Sequence, residues 1–443
     1  MPRHSLTHAA RRLAAALVAA GALAGCDLDE NNPNAPTQTV TLTSPDGIIA
    51  IAVGLQARYA TGYGNLIYDA GLLTDELGAA AQALPNVREA ELGRVENISG
   101  VASDLWFSHY RTIKTANDLI NNAPNVQLDP ATLSGIMALA YTLKAGAIGD
   151  LVQGYQQIAA PDYGNPTPTF ISRTTALSQA LAALDSADAQ LTAIPPGTAF
   201  TTRVLGTNFD LRNTLRAFRA RLLRMSGPAQ RQAALAAADA VDRRAFSVLQ
   251  FTEQVRNPLF VNSAGSSAVL PRDAFRLAAD PARASYHVAA AAITGFFQPL
   301  DNYARYNTAT GALPLYFPDE MLLIKAEALV GLGQLAEAQA ALDSVRTDCG
   351  APVAADPNAC LAPLPPGQSA AALTAEIYAN RRFELFATGQ RWEDARRQGL
   401  VGATSVAKRC WLPYPIAERN ANPANVPADP EAIDPPAAPA NCF

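Results

Sequence analysis

From Ser44 onward the chain alternates between stretches with apolar residues at every third or fourth position and short segments rich in Pro, Gly and Asn, as in helices joined by turns. Ser44-Pro45-Asp46 reads as a helix cap with proline in the first turn, and Ile48, Ile51, Ala52 and Leu55 follow at helical spacing, predicting a helix over 45–60. The same periodicity predicts helices over 66–82, 101–122, 131–158, 173–192, 210–226 and 228–243. In the last pair Leu211, Leu215, Phe218 and Leu222 mark one face and Ala233, Ala237 and Val241 a small-residue face on the next helix. Ser226-Gly227-Pro228 between them makes a tight turn, so the two predict an antiparallel hairpin.

Residues 318–331 and 335–346 repeat that design around Gly331 to Gly333, and Leu332-Gly333 with Ala338 and Ala341 resembles the tetratricopeptide pattern, in which small residues let paired helices approach. Several such hairpins predict an all-α, TPR-like helical-repeat scaffold, with residues 44–443 forming one body. Between 244 and 317 the period loosens into short β-like pieces at Val248 to Phe251 and Ala268 to Leu270. Residues 351–368 hold five Pro and 411–443 hold eight, predicting long irregular loops, where binding sites tend to lie.

Composition narrows the function classes. Of 443 residues 49% are hydrophobic and 16% charged, against about 25% charged in a typical domain, which excludes intrinsic disorder. Lys plus Arg number 34 and Asp plus Glu 39, for a net charge of −5, so no basic surplus argues for a nucleic-acid partner. No uninterrupted apolar run reaches the ~18 residues that span a bilayer.

The N-terminus reads as an address. Arg3, Arg11 and Arg12 precede an apolar stretch from Leu13 to Ala24, the length of a signal-peptide core. It ends in Leu23-Ala24-Gly25-Cys26, which resembles a bacterial lipobox, so residues 1–25 are expected to be cleaved and Cys26 to carry lipid. Such an anchor binds membrane firmly because each buried methylene contributes about 0.8 kcal/mol. Asp27, Leu28, Asp29 and Glu30 follow, an acidic stretch that resembles the surface-export signal of Bacteroidetes lipoproteins, whereas in proteobacteria-like sorting Asp27 would favour inner-membrane retention; residues 26–43 read as a flexible tether. Cys349, Cys360, Cys410 and Cys442 remain, an even number that predicts two disulfides in an exported protein. Of three possible connectivities, loop shortness favours Cys349–Cys360 with Cys410–Cys442. A zinc site fits less well, because the spacing is not C-x₂-C and no His lies near.

The C-terminal third carries a family resemblance. Phe317-Pro318-Asp319-Glu320-Met321-Leu322-Leu323-Ile324-Lys325-Ala326-Glu327-Ala328 resembles the "R-x-A-E-x-L-L-x-x-A-E-A" helix of SusD/RagB lipoproteins. Arg381-Arg382-Phe383-Glu384-Leu385, Gly389-Gln390-Arg391-Trp392-Glu393-Asp394 and Arg396-Arg397-Gln398-Gly399 resemble that family's "ERR-x-EL…EG-x-R-x-x-DL-x-R-x-G" block. Trp411-Leu412-Pro413-Tyr414-Pro415-Ile416, Glu418 and Asn422-Pro423 are similar to its closing segment, which places the motif region at about 300–443. Upstream, Trp106, Tyr110, Ile113 and Asn117 resemble its "W…Y-x-x-I-x-x-A-N" helix. Asn380 and Thr388 stand where the family usually has Glu. The resemblance implies a SusD-like fold and a non-catalytic outer-membrane lipoprotein without cofactor. It further implies capture of oligosaccharides or peptides for a TonB-dependent, SusC-like transporter. The competing expectation is a TPR-type scaffold lipoprotein with protein partners only.

Candidate chemistry is sparse. Past residue 25 the chain has two histidines, His109 and His287, and no H-E-x-x-H, G-x-S-x-G or phosphate-loop motif. Glu76 with Asp75, or Glu320 with Glu327, are the carboxylate pairs a glycosidase would need, although helix packing explains the second pair more simply. The charged run from Arg381 to Arg397 interleaves acids and bases, which predicts structural ion pairs rather than an anion site. No metal site is expected. For sugar binding the candidates are aromatic residues in loops or at helix ends, Tyr63, Tyr68, Trp106, Tyr163, Tyr303 and Tyr306, flanked by Asn65, Asn165, Asn302 and Arg305. Trp106 at helical spacing with Tyr110 and Ile113 also fits a core position. The cluster 302–307 is equally compatible with a site and with strand packing.

Overall fold

A computed structural model describes residues 41–264, 268–350, 357–435 and 442. Residues 1–40, with the leader, Cys26 and most of the tether, lie outside the described residues.

The first helix, α1 (Pro45–Leu73), starts where the cap pattern places it, with the Ser44 side chain accepting from the Gly47 N–H at 3.2 Å. It runs unbroken through Thr61 to Asn65, so the two helices expected over 45–60 and 66–82 are one, which ends at Leu73 and passes into strand β1 (Leu77–Ala79). The glycines between the two expected spans, Gly62 and Gly64, serve close packing. A Cβ at Gly62 would stand 2.9 Å from the His109 ring, and one at Gly64 would stand 2.6 Å from Pro258.

The short helix α2 (Pro85–Glu91) precedes α3 (Gly100–Asn122) and α4 (Pro130–Gly154), whose Asp129 cap accepts from the N–H groups of Ala131 and Thr132. After the β2 (Gln157–Ala159) and β3 (Phe170–Ser172) hairpin come α5 (Arg173–Ala193), α6 (Leu211–Met225) and α7 (Arg231–Asp239). The array continues in α10 (Pro318–Gly331), α11 (Leu335–Arg346) and α12 (Ala370–Glu384). Each packs on its neighbour in the order α1, α3, α4, α5, α6, α7, α10, α11, α12, the helical-repeat scaffold expected from the sequence.

Of the small-residue face expected for α7, Ala237 and Val241 are buried and Ala233 is exposed, its place taken by Ala234 and Ala238. Glycine and alanine line α4 for the same purpose. A Cβ at Gly146 would come within 2.5 Å of Phe218 on α6 and 2.8 Å of the Tyr59 hydroxyl. Of the described helices α4 alone is long and apolar enough to cross a membrane, and 78% of its most apolar window is buried inside the fold.

Between α7 and α10 the chain leaves the repeat through β4 (Val248–Leu249), α8 (Pro258–Ala264), β5 (Val269–Pro271), α9 (Pro281–His287), β6 (Val288–Ile293), β7 (Leu300–Tyr303) and β8 (Leu313–Pro314). These strands form antiparallel pairs β1–β5, β4–β8 and β6–β7. The β6–β7 register shifts between Ala289 and Ile293, where Ala292 has a positive φ of 48°. Bridges Ala80–Gly295 and Arg272–Leu300 fasten this hairpin beside β1 and β5. Past α12, the helices α13 (Arg391–Arg397) and α14 (Ile416–Ala421) close the described chain. Both disulfides favoured by loop length are present, Cys349–Cys360 and Cys410–Cys442.

Candidate functional site

Among the described residues three aromatic side chains stand open to solvent: Tyr163, Phe296 and Phe297, at 52%, 47% and 38% exposure. The two phenylalanines sit at the tip of the β6–β7 hairpin. That tip is pinned to the end of β1, because the Phe296 N–H donates to the Ala79 carbonyl at 2.8 Å and the Ala81 N–H to the Thr294 carbonyl at 3.2 Å. The rings meet edge to face, with centroids 4.7 Å apart and planes at 79°, a favoured aromatic geometry. From α2 the Arg88 guanidinium lies over Phe296, 4.4 Å from the ring centre, a cation–π contact that fixes the ring's orientation. Pro85 sets the first turn of α2 and Val87 and Ala90 anchor it, leaving Gln82, Leu84 and Asn86 exposed beside the rings' side of the fold.

The other flank of α2 walls a cleft of 470 Å³ lined by Pro85, Asn86, Glu89, Arg94, Ile98 and Ile433. Arg94 is held there by Glu89 at 3.2 Å and Asp434 at 2.9 Å, and Ile98 and Ile433 are both well exposed. The cleft falls in the size range of small-ligand sites. A helix is about 10 Å across, so platform and cleft together present a surface longer than a single sugar ring.

The buried charges have a different role. Arg221 grips both oxygens of Glu320 at 2.7 Å, and Arg224 joins Glu327 at 2.6 Å to Asp394 at 2.7 Å. Arg381 adds a second bond to Asp394 at 2.7 Å, and Arg397 one to Glu327 at 2.5 Å. Glu393 is shared by Arg173 and Arg396, each at 2.9 Å. Burial pushes the Glu327 and Glu393 carboxyls up, but the arginines win and hold each at about 2. Glu320 and Glu327 are therefore clamps between α6, α10 and the 381–397 block, as the interleaved signs predict. Arg391 bonds the Thr74 carbonyl at 3.1 Å, and Asn380 accepts from Arg283 at 3.0 Å. Burial lowers the His109 imidazole to about 3 and drives His287 down as well, so both are neutral packed rings. Among the described residues no three His, Cys, Asp or Glu side chains converge as a metal site.

The aromatic candidates picked from sequence divide sharply. Tyr63, Trp106, Tyr303 and Tyr306 are core residues, each exposed by 2% or less, and offer no platform. Tyr63 faces inward from α1 and donates to the Thr388 carbonyl at 3.1 Å. Trp106 packs with its ring centre 4.7 Å from both Tyr110 and Tyr155 and donates to Glu418 at 3.3 Å. Strand alternation turns Tyr303 inward and Asn302 outward, and Arg305 lies 5.0 Å from the Tyr286 ring centre and 5.3 Å from that of Tyr306. Tyr68 is half-buried, while Asn65 donates to the Asp104 carbonyl and the Ser108 hydroxyl. Tyr163 and Asn165 are exposed together on the β2–β3 loop, which Asn422 and Asn425 tie down through the Pro168 and Thr167 carbonyls. Sequence reasoning missed Arg88, Phe296 and Phe297. Two adjacent phenylalanines after Gly295, in a stretch too irregular for a buried strand, were the available signal.

The SusD family model matches residues 294–414, a segment that begins just before Phe296 and covers the ion-pair block. Over that segment the chain is similar to the SusD/RagB family. A SusD homolog from Bacteroides thetaiotaomicron superposes with a TM-score of 0.70 at 15% identity, covering 89% of this chain and 99% of that one. A SusD superfamily protein from Parabacteroides distasonis gives 0.66 at 15% identity, over 86% and 98%. NanU of B. fragilis gives 0.67 at 14% identity, over 90% and 100%. At such identities the likeness is one of fold. No curated protein matches the chain in sequence. The matched segment supplies the carboxylates of the clamps, and Arg173, Arg221, Arg224, Arg88 and the α2 cleft lie outside it.

Proposed function

We propose that this SusD/RagB-like protein captures oligosaccharides at the Phe296–Phe297 platform and the adjoining α2 cleft, without catalysis, and passes them to a TonB-dependent, SusC-like transporter. The observation that carries the reading is the exposed phenylalanine pair held by Arg88 beside that cleft. Sugar rings present C–H faces that stack on aromatic rings, and the exposed amides of Gln82, Asn86 and Gln298 supply partners for hydroxyls. In this reading Cys26 carries the lipid that holds the protein on the outer membrane. Of the carboxylate pairs a glycosidase would need, Glu320 and Glu327 are consumed by arginines and Glu76 is fully buried, which supports binding rather than hydrolysis. A peptide ligand would use the same apolar surface.

Calorimetric titration against neutral oligosaccharides and peptides tests the reading. The double variant Phe296→Ala/Phe297→Ala should weaken the best ligand at least 30-fold, about 2 kcal/mol as expected for a binding hot spot. Its unfolding midpoint should stay unchanged, because both rings are exposed. Unchanged affinity for the bound glycan would refute the site.

A scaffold role with protein partners would instead use the 460 Å³ groove between α7, α10 and α11, where Asp239, Arg243, Lys325 and Glu337 line the wall. Glycan binding lost on mutating the platform decides against it as the principal function.

A further inference from the structure

The N-terminal end of α1 and the middle of α3 enclose a groove of 540 Å³ whose charge contrasts with that of the chain. Arg58, Arg111 and Lys114 line it against one carboxylate, Asp118, while the whole chain is net negative. Lys114 is paired with Asp118 at 2.7 Å. Arg58 and Arg111 are exposed and form no ion pair among the described residues, although Asp104 lies within electrostatic range of Arg111. Leu42, Ala50 and Ile51 give the groove an apolar floor, and Thr41, the first described residue, lies in its wall. The described chain therefore starts at the groove.

Upstream of Thr41, residues 31–40 carry no charge, and Asp27, Leu28, Asp29 and Glu30 precede them. We propose that this acidic segment, 27–30, docks into the α1–α3 groove. Its carboxylates meet Arg58 and Arg111, and Leu28 meets the apolar floor. Reach is not limiting. Ten residues lie between Glu30 and Thr41, a span of up to about 36 Å when extended and roughly 18 Å as a flexible coil. Along α1 the groove lining from Ile51 to Arg58 is only about 10 Å long. Being tethered, the segment acts at an effective concentration in the millimolar range, so weak charge complementarity suffices. Where Cys26 carries lipid, as the proposed function holds, docking would turn the α1–α3 face toward the anchor and fix the domain's orientation. The docking itself needs no lipid.

Carbodiimide coupling tests it on the chain from residue 26 onward with Cys26→Ser. The reagent joins a carboxylate to a neighbouring amine as an amide, and Lys114–Asp118 serves as the internal standard. Peptide mapping should find Lys114 linked also to Asp27, Asp29 or Glu30. That link should fall at least fivefold in 0.5 M salt, and equally in Arg58→Gln/Arg111→Gln, while the Lys114–Asp118 product stays constant. Three results would each overturn the proposal: the standard alone, a link indifferent to the arginine changes, or a yield that rises with protein concentration and so reports a second copy.

Discussion

Replacing Arg224 by alanine is expected to cost about 3–5 kcal/mol of stability, the largest single effect in the molecule. The side chain is buried and bonds Glu327 on α10 and Asp394 on α13 at once, so its loss strands two carboxylates away from water. Arg381 and Arg397 each still pair with one of them, which limits the cost. For a chain of this length the change lowers the unfolding midpoint by roughly 4–6 °C. Adding Glu327→Gln should recover part of the loss, since a neutral amide tolerates burial without its cation. Chemical denaturation of the single and double variants measures both. A loss below about 1 kcal/mol for Arg224→Ala would show that these clamps do not tie the repeats together.

A second large effect concerns pH. Burial raises the Glu76 carboxyl from its usual 4.5 to about 7, against the pull of Arg391 and the Ala387 N–H, and raises Asp150 to about 7 with Arg221 opposing. A carboxyl raised in this way binds its proton more tightly folded than unfolded. Its contribution is fully present below the unfolded value near 4.5 and disappears as pH climbs through about 7. Glu327 and Glu393 act oppositely, since their contribution is present above about 4.5 and is lost as pH falls toward 2. Stability should therefore peak near pH 5 and decline toward pH 8. Glu76→Gln mimics the protonated form. At pH 8 it should stabilise by on the order of 3 kcal/mol, or about 4 °C in midpoint, and at pH 5 it should change little. Thermal melts at both pH values provide the check, and an equal shift at both would contradict the protonation argument.

Helix periodicity made most of the scaffold legible. The helices expected over 101–122 and 173–192 are observed as Gly100–Asn122 and Arg173–Ala193, because long amphipathic runs bounded by Ser99 and Ser172 caps leave few alternatives. The failure at 61–65 has a local cause. A glycine that admits a neighbouring ring reads in one dimension like a glycine that ends a helix. The interleaved charges from Arg381 to Arg397 were legible as clamps because their signs alternate.

The site was much less legible. Aromatic residues mark core and platform alike, and only the third dimension separates Tyr303, turned inward from β7, from Phe296 at the hairpin tip. The register shift after Ala289 destroys the two-residue alternation that would have shown which side chains emerge. Arg88 was invisible for another reason: its partner Phe296 lies over two hundred residues away and is brought close by the pairing of Ala80 with Gly295.

A structure of the protein with its tightest-binding oligosaccharide tests the central claim most directly. The account predicts sugar rings stacked on Phe296 or Phe297, within hydrogen-bond reach of the side chains that flank α2. A ligand seated instead at the Tyr163 loop or in the α7–α10–α11 groove, with the hairpin tip bare, would contradict it.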